Sequence, residues 1–312
     1  MSVAEYQHIP VLLKEVVSNL FTSRDGVYVD MTFGRGGHCL AALELLSQKA
    51  RVIGLDRDLQ AIKSAELLAS IDSRVTPVHS KFSDLKITLA QLGLGLVQGI
   101  LMDLGVSSPQ LDDPARGFSF QSHGPLDMRM DRSNETTAAD WLNKATATEI
   151  ELALRKLGDE KQARAIAKEI LLQRPLSTTR ELSDLVLNVK GNKNRKNRVH
   201  PATKTFQALR MVVNSETDEL SEGLESAFES LVIGGRLAVI SFHSQEDRIV
   251  KSFFYEKCGR TNPLPRRIPI KGDAILTEAK MLPGPIQPGI QELNENRRAR
   301  SARLRIIEKI KE

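Results

Sequence analysis

The sequence predicts an α/β fold whose mostly parallel sheet is interrupted after its fourth strand by an all-helical insertion. Over the first hundred residues, short apolar segments alternate with amphipathic helical segments, which is typical of successive βαβ units. After Asp103 this alternation stops, and only helical patterns follow up to about residue 213. A glycine pair and a strongly apolar run over 234–243 then restore it. We therefore expect one discontinuous sheet domain, 1–107 with 214–312, and an inserted helical domain, 108–213.

The predicted strands are short apolar runs that end in a polar residue or a turn. In chain order they cover 27–30, 51–56, 75–79, 99–104 and 234–243. Amphipathic patterns predict helices between them over 59–71, 82–92 and 220–231. Within the insertion, the same spacing predicts helices around 141–142, 150–157, 163–172, 182–189 and 206–213. The last run, 302–308, alternates apolar and charged residues, which predicts an edge strand.

Polar side chains lie at the ends of these predicted strands. Asp30, Asp56, His79 and Asp103 each end or follow a strand. Because the carboxyl ends of parallel strands meet at one edge of a sheet, where ligands bind in such folds, we expect all four beside one crevice. A turn or helix cap is the ordinary role of a single aspartate at such a position, whereas several together favour a binding site.

The turn after the first strand has the composition of a nucleoside-binding loop. Asp30 is followed by three glycines, and His38 opens the next helical pattern. Glycine lets the backbone approach a ligand closely, and a helix N-terminus offers free N–H groups. Asp56, at the end of the next strand, is positioned to accept hydrogen bonds from ribose hydroxyls. The candidate cofactor-binding residues are therefore Asp30, Gly34, Gly36, Gly37, His38 and Asp56.

The same turn favours S-adenosylmethionine over a dinucleotide. A dinucleotide turn needs the pattern Gly-x-Gly-x-x-Gly, and the third glycine is missing after Gly34 and Gly36. Asp30 would repel a pyrophosphate, but it could receive the ammonium group of S-adenosylmethionine, which carries no phosphate. We therefore predict a Rossmann-like sheet that binds a methyl donor. A nicotinamide-dependent oxidoreductase on the same sheet is the alternative.

The segment after the fourth strand suits methylation of an amino group. Ser107, Ser108 and Pro109 are similar to the serine-type motif of enzymes that methylate exocyclic amines of bases, with Gln110 in place of a second proline. The lone pair of such an amine is delocalised into the ring, so hydrogen-bond acceptors must draw its N–H groups toward a tetrahedral geometry. An aligned amine attacks the sulfonium methyl group directly, and positioning supplies most of the catalysis. The candidate catalytic residues are Asp103, Ser107, Ser108 and Pro109, with an ordinary turn as the alternative.

The distribution of charge predicts a polyanionic substrate. The net charge of +5 resides in 108–213, which has 18 basic and 13 acidic residues. Five basic residues and no acid occupy 190–198, a stretch with glycine and asparagines that is typical of a loop, and further basic clusters lie at 260–271 and 297–305. Such loops contact phosphates without reading sequence. RNA is the expected partner, and the alternatives are a solvated surface loop or a non-catalytic RNA-binding module.

Composition excludes several other classes of protein. Two cysteines are too few for a disulfide scaffold or a cysteine zinc site, and no cluster of His, Asp and Glu has the spacing of metal ligands, so no metal is expected. No apolar run approaches the length of a membrane span, and the N-terminus lacks the pattern of a signal peptide. We expect a soluble, cytoplasmic protein, and the sequence is compatible with a homodimer.

Several long motifs resemble those of the RsmH (MraW) family, the S-adenosylmethionine-dependent methyltransferases that modify N4 of a cytidine in the decoding centre (P-site region) of bacterial 16S ribosomal RNA. The matching segments are 8–13, 30–38, 54–58, 103–111, 116–120, 125–131, 200–210, 241–244 and 298–305. The resemblance implies a class I (Rossmann-like) S-adenosylmethionine-dependent methyltransferase sheet with a helical substrate-binding insertion. It also implies that the substrate is 16S rRNA in the small ribosomal subunit.

The resemblance further implies which residues contact the cofactor. These are Gly36, Gly37, His38, Asp56, Phe82, Asp103 and Gln110. Phe82 would pack on the adenine, whereas the residue pattern alone indicates a core aromatic residue in a helix.

Each candidate contact to RNA has a structural alternative. Trp141, the only tryptophan, would either stack on a flipped cytosine or anchor the helical domain. Arg129 would either grip a phosphate or pair with a neighbouring aspartate, and His243 would either line the base pocket or serve as a hydrogen-bonded structural histidine. The remaining candidates are Lys193, Arg195, Lys196, Arg198, His200 and Lys204. For His200 and Lys204 the alternative is helix capping.

Overall fold

The computed structural model describes residues 10–191, 200–260 and 277–311. The chain divides into two compact units, one formed by Met1–Gly105 with Asp218–Glu312 and the other by Val106–Thr217. The sequence placed the corresponding limits at 107/108 and 213/214, a few residues away at each end. The assignment of the two units as separate domains stays a prediction.

The first unit is built on a seven-stranded sheet with the strand order β3-β2-β1-β4-β5-β7-β6. The strands are β1 (Val27–Asp30), β2 (Arg51–Asp56), β3 (Val75–His79), β4 (Val97–Asp103), β5 (Leu231–Ser241), β6 (Ala279–Met281) and β7 (Arg303–Lys309). Strands β1 to β5 pair in parallel, whereas β7 is antiparallel to both β5 and β6. The predicted α/β class is confirmed. The chain reverses its direction of travel across the sheet between β1 and β4, where open α/β sheets bind ligands.

Helices cover both faces of the sheet. In chain order the helices are α1 (Leu13–Leu20), α2 (Gly37–Leu45), α3 (Leu59–Ile71), α4 (Leu85–Gln91), α5 (Ser108–Asp112), α6 (Ala138–Lys144), α7 (Ala147–Gly158), α8 (Ala163–Gln173), α9 (Thr179–Lys190), α10 (Thr203–Val213), α11 (Glu216–Glu229), α12 (Ser244–Lys257) and α13 (Ile290–Glu295). Val29 of β1 packs in one apolar cluster with residues of α4, α11 and α12, whereas its neighbour Tyr28 packs in another with residues of α2 and α3. Successive strand residues therefore point to opposite helical layers. Within the described ranges, no helix is long and apolar enough to cross a membrane.

The second unit consists of α5 to α10, and no strand occurs among its described residues. Its longer helices are amphipathic, and their apolar faces form one core that includes Leu142, Leu154, Ile166 and Leu209. Among the described helices of this unit, three begin with a capping box made by a threonine and an acidic residue, in which the hydroxyl and the acidic side chain satisfy each other's backbone N–H groups. The capping pairs are Thr137 with Asp140, Thr146 with Glu149 and Thr178 with Glu181.

The prediction of an edge strand at 302–308 is wrong in one respect. A strand is present as β7, but it lies between β5 and β6 and is paired on both sides. The true edge, β6, has only three residues, which is too short to produce an alternating pattern. The alternation in β7 arises from Arg303 and Arg305, and Arg305 is buried because its guanidinium binds the carboxylate of Asp247, with 2.7 Å between Nε and Oδ1.

The predicted helix over 82–92 begins later than expected. Helix α4 starts at Leu85, so Phe82 lies in the turn between β3 and α4. The interpretation of Phe82 as an aromatic residue within a helix is therefore wrong. Its ring is nonetheless partly buried against the apolar cluster that includes Val29, Leu85 and Leu224.

Candidate active site

Asp30 is a buried carboxylate at the carboxyl end of β1. Its side chain is only 5 % exposed. Its Oδ1 accepts hydrogen bonds from the backbone N–H and the hydroxyl of Thr32, at 3.1 and 3.4 Å. Burial raises the pKa of Asp30 to about 6, although the nearby imidazole of His38 opposes the rise. A cationic ligand beside a desolvated carboxylate of this kind stabilises its ionised form.

Thr32 connects the ends of β1 and β4. Its Oγ1 accepts a hydrogen bond of 2.6 Å from the backbone N–H of Asp103, the last residue of β4. Because β1 and β4 are adjacent, this bond fixes the Asp103 backbone relative to Asp30. Two of the four predicted strand-end groups are thereby held at the switch point of the sheet.

His38 lies beside both aspartates without a hydrogen-bond partner. It is 5 % exposed, in the first turn of α2, and its Nε2 is 3.7 Å from Oδ2 of Asp103. Both ring nitrogens of His38 and Oδ1 of Asp103 are buried and make no hydrogen bond among the described residues. Buried polar atoms are rarely left without a hydrogen-bond partner. These atoms therefore indicate a ligand-binding position.

Asp56 organises the glycine turn. Its Oδ2 accepts a hydrogen bond from the backbone N–H of Gly34 at 2.9 Å, and its Oδ1 accepts one from Asp58 at 2.9 Å. Gly34 and Gly36 have φ of +54° and +73°, a backbone conformation that favours glycine. Burial raises the pKa of Asp56 to about 6, against the lowering effect of those two hydrogen bonds. Asp56 therefore shapes the turn, and its remaining lone pairs can still accept bonds from a ligand.

Three glycines of this region make room for protein atoms as well. A Cβ on Gly36 would lie 2.6 Å from the Phe33 ring, and a Cβ on Gly54 would lie 2.5 Å from the same ring. A Cβ on Gly37 would lie 2.3 Å from Cγ of Pro10. Ligand approach alone is what the sequence predicts for Gly36 and Gly37, and these contacts have no local signal because they depend on residues from other segments.

Phe82 and His79 lie at the carboxyl end of β3. The Cβ of Phe82 would be 2.6 Å from a Cβ placed on Gly223 of α11, so this glycine allows the aromatic residue to sit against the helix. His79 is exposed, and its Nε2 lies 3.1 Å from the carbonyl oxygen of Arg57. In the sheet register, His79 is opposite Asp56. Each of the four predicted strand-end residues is thus the last residue of its strand, in β1, β2, β3 and β4 respectively.

The segment 107–110 forms the start of α5 in the second unit. Ser107 is the N-cap residue, Pro109 lies in the first turn, and Oε1 of Gln110 accepts a hydrogen bond of 2.9 Å from the backbone N–H of Ser107. Ser107, Ser108 and Pro109 are partly exposed, whereas Gln110 is buried. The ordinary turn that the sequence allowed is therefore present, with Gln110 closing it as a capping residue. This hydrogen bond joins the two ends of the motif, from Ser107 to Gln110.

Arg129 and Trp141 adopt the structural roles that the sequence left open. The guanidinium of Arg129 binds Asp127, at 2.7 Å for Nε to Oδ1 and 2.9 Å for Nη2 to Oδ2, which helps to keep the pKa of Asp127 low. Trp141 is partly buried against the core of the helical unit. A contact from either residue to RNA stays a prediction.

Three of the histidine and lysine candidates also make contacts with other residues of the protein. His243 is the N-cap residue of α12, and its Nε2 lies 3.0 Å from Oε1 of Glu246. His200 accepts a hydrogen bond of 3.2 Å at Nδ1 from the backbone of Ala202, and Nζ of Lys204 donates to the carbonyl of Asp159 at 2.9 Å. His200 and Lys204 are exposed. The other candidates, Lys193, Arg195, Lys196 and Arg198, lie outside the described residues.

The groups at the end of β1 and β4 fit S-adenosylmethionine. A buried carboxylate at Asp30 suits the ammonium group, and the unpartnered atoms of His38 and Asp103 supply further polar contacts. Asp56, at the end of β2, suits the ribose hydroxyls. A pyrophosphate would instead face the carboxylates of Asp30 and Asp103. The donor set therefore fits a sulfonium nucleoside better than a dinucleotide.

Comparison with known proteins gives the family. The MraW methylase family matches residues 5–310. The chain is 46 % identical over 307 residues to "Ribosomal RNA small subunit methyltransferase H" of Coxiella burnetii, covering 97 % of this chain and 99 % of the relative. It is 45 % identical to the protein of the same name from Shewanella sediminis, covering 98 % of each. A solved rRNA methylase from Streptococcus thermophilus aligns with a TM-score of 0.42 at 11 % identity, covering 96 % of this chain and 94 % of that one. The chain belongs to the MraW methylase family, and its cofactor is S-adenosylmethionine.

Proposed function

We propose that this protein transfers a methyl group from S-adenosylmethionine to the exocyclic N4 of a cytidine in the decoding centre of bacterial 16S rRNA. The observation that carries the proposal is the similarity, at 45–46 % identity over nearly the full length, to relatives named ribosomal RNA small subunit methyltransferase H. The substrate is then RNA of the small ribosomal subunit. A cytoplasmic location follows from that substrate, and a homodimer stays a prediction.

In this proposal the first unit holds the cofactor. Asp30 receives the ammonium group, and the cost of burying its charge is recovered when the cation binds. Asp56 accepts the ribose hydroxyls while keeping Gly34 in place, and Phe82 packs on the adenine. Bound S-adenosylmethionine supplies an electrophilic methyl carbon. The four residues Gly36, Gly37, His38 and Asp103 line the remainder of that position.

The acceptor amine is oriented by 107–109. The partly exposed hydroxyls of Ser107 and Ser108, with the carbonyl before Pro109, are acceptors for the two N–H groups of the amine. Drawing both hydrogens out of the ring plane localises the nitrogen lone pair. The capping bond from Ser107 to Gln110 holds the segment in one conformation, so little entropy is lost on binding. Gln110 is thus proposed to act by positioning the serines, and its contact with the cofactor stays a prediction.

The burial of both cysteine thiols favours methyl transfer to nitrogen over transfer to a ring carbon. Methylation of a pyrimidine ring carbon commonly needs a covalent nucleophile such as a thiolate, whereas an exocyclic amine needs none. Cys39 and Cys258 are both buried. Burial raises the pKa of each thiol, which disfavours the reactive thiolate. Direct attack by the amine is therefore the chemistry that these residues support.

The alternative of a non-catalytic RNA-binding module explains fewer features. It accounts for the basic residues, but not for a buried Asp30 beside unpartnered atoms of His38 and Asp103. The assignment to a methylase family also favours catalysis.

The proposal is tested by transfer of a labelled methyl group. Purified protein is incubated with labelled S-adenosylmethionine and small ribosomal subunits, and label is counted in RNA and in protein. We expect label in 16S rRNA and a loss of transfer in the Ser108→Ala variant, with cofactor affinity retained. Label found only in protein would refute the proposal.

A further inference from the structure

Phe120 and His200 stack face to face in the helical unit. Their ring centroids are 4.4 Å apart, and the rings are inclined by 13°. Phe206 of α10 meets Phe120 edge-on, with centroids 5.4 Å apart and an angle of 81°. Phe206 is 3 % exposed and belongs to the core of the unit. The three rings therefore run from the core to the surface and end in the imidazole of His200.

The position of the His200 ring is fixed by the start of α10. Its Nδ1 accepts a hydrogen bond of 3.2 Å from the backbone N–H of Ala202, and its carbonyl accepts one of 3.1 Å from Thr203. With Nδ1 used as an acceptor, a neutral imidazole carries its proton on Nε2. The ring is thus oriented by two kinds of contact, the stack on Phe120 and the helix start.

The exposure of this ordered ring is unusual. His200 is exposed and Phe120 is partly exposed, so the pair adds less to the core than Phe206 does. Ordering an exposed side chain costs conformational entropy. An imidazole that is supported on one face and open to solvent offers a flat surface to another ring. Lys204, exposed in the first turn of α10, adds positive charge nearby.

We propose that Phe120 and His200 form a platform on which one base of single-stranded RNA stacks. The proposal deepens the proposed function and rests on it, because RNA is the expected substrate. Unpaired bases commonly stack on aromatic and histidine rings, and such stacking tolerates any base because each has a π face. The platform would therefore fix a nucleotide of the substrate without selecting its identity. The ligand of His200 in this proposal is therefore a base and not a phosphate group.

A tryptophan at position 200 reports stacking directly. Trp141 is the only tryptophan, so the variant His200→Trp with Trp141→Phe has a single indole at the platform. We expect a single-stranded oligoribonucleotide to quench its fluorescence on saturation, and more strongly than that of the control, because the indole stacks on a base. The matched control is Leu172→Trp with Trp141→Phe, since Leu172 is 69 % exposed on α8 of the same unit. Equal quenching in the two proteins, or none in either, would overturn the platform.

Steady-state kinetics separate stacking from phosphate binding. We expect His200→Ala to raise KM for small subunits about 5- to 100-fold, the range for loss of one stacked base, with kcat and cofactor affinity unchanged. His200→Tyr should restore KM, because it keeps an aromatic face, whereas His200→Lys should not. Rescue by lysine and not by tyrosine would show a phosphate contact and overturn the proposal, as would an unchanged KM in His200→Ala. Failure of the wild-type protein to methylate RNA would instead refute the proposed function.

Discussion

The backbone N–H of Asp103 donates a hydrogen bond of 2.6 Å to the hydroxyl of Thr32. The same hydroxyl lies 3.4 Å from Oδ1 of Asp30. One small side chain thus joins the carboxyl ends of β1 and β4 at the switch point of the sheet. The geometry of the proposed ammonium site depends on this bridge, since it links the ends of the two paired strands that carry Asp30 and Asp103.

Removal of the Thr32 hydroxyl should weaken the cofactor site. In Thr32→Val the shape is kept but the part-buried Asp103 N–H loses its acceptor, which costs about 1 kcal/mol, the net contribution of a typical hydrogen bond. We expect a lower melting temperature and weaker binding of S-adenosylmethionine in calorimetric titration. Thr32→Ser keeps the hydroxyl and should behave like the wild type. If valine and serine variants bind the cofactor equally well, the bridge has no role in binding.

Cofactor affinity should fall at acid pH because of Asp30. Its pKa is raised to about 6 by burial, so the carboxyl becomes neutral below that pH and no longer attracts an ammonium group. We expect the dissociation constant to rise below pH 6 by about tenfold per pH unit for the proton on Asp30, and protonation of Asp56, whose pKa is also raised to about 6, to steepen this rise. The facing titratable groups are His38, Asp56 and Asp103. In Asp30→Asn the affinity should be lower at pH 7, and the dependence on pH should be shallower.

The same substitution should have the opposite effect on stability. The folded-state pKa of Asp30 lies above its unfolded value, so the folded protein binds the proton more tightly and ionisation opposes folding. That penalty is absent below about pH 4, grows between pH 4 and 6, and is at most about 3 kcal/mol above that range. We expect thermal unfolding to show Asp30→Asn as more stable than wild type at pH 7 but not at pH 4. A variant that is less stable at pH 7 would contradict the burial argument.

Asp56 should contribute to cofactor binding in two ways. Asp56→Ala removes the proposed acceptor for the ribose and also the acceptor for the Gly34 N–H. We expect cofactor affinity to fall about 10- to 100-fold, as loss of hydrogen bonds to a charged group implies. Asp56→Asn keeps one acceptor oxygen and should lose less. An unchanged affinity of Asp56→Ala for the cofactor would show that the ribose does not bind at the end of β2.

Gly37 should be sensitive to substitution because of Pro10. A Cβ on Gly37 would lie 2.3 Å from Cγ of Pro10, so Gly37→Ala must displace one of the two segments. We expect a lower melting temperature, because overpacking typically lowers the free energy of unfolding by about 1–3 kcal/mol. We also expect the cofactor affinity to fall by about tenfold. The double variant Pro10→Ala with Gly37→Ala should recover most of the loss. Equal losses in the single and double variants would show that the clash with Pro10 is not the cause.

Much of the sheet and its strand-end acids could be predicted from the sequence. The strands ending at Asp30, Asp56, His79 and Asp103 produce apolar runs with turn residues after them, and short βαβ units leave few other topologies. The order of β5, β7 and β6 could not be predicted in the same way. Strand β6 has three residues, and its pairing with β7 depends on contacts that are distant in sequence.

Side-chain partners were harder to predict than elements. Gly36, Gly37 and Gly54 are glycine partly because Phe33 and Pro10 occupy the adjacent space, and no local pattern reveals that contact. Phe120 was not a candidate, since its stack with His200 joins positions 80 residues apart along the chain. Arg129 was left between two roles because charge composition cannot distinguish an ion pair with Asp127 from a phosphate contact.

The most direct test of the account is the identity of the methylated nucleoside. Small subunits treated with the protein and isotopically labelled S-adenosylmethionine are digested to nucleosides, which are separated and identified by mass spectrometry. We expect label in N4-methylcytidine, and no labelled product when the subunits are treated with Ser108→Ala. Label in 5-methylcytidine, or in a methylated purine, would contradict transfer to an exocyclic cytosine amine held by the serines at 107 and 108.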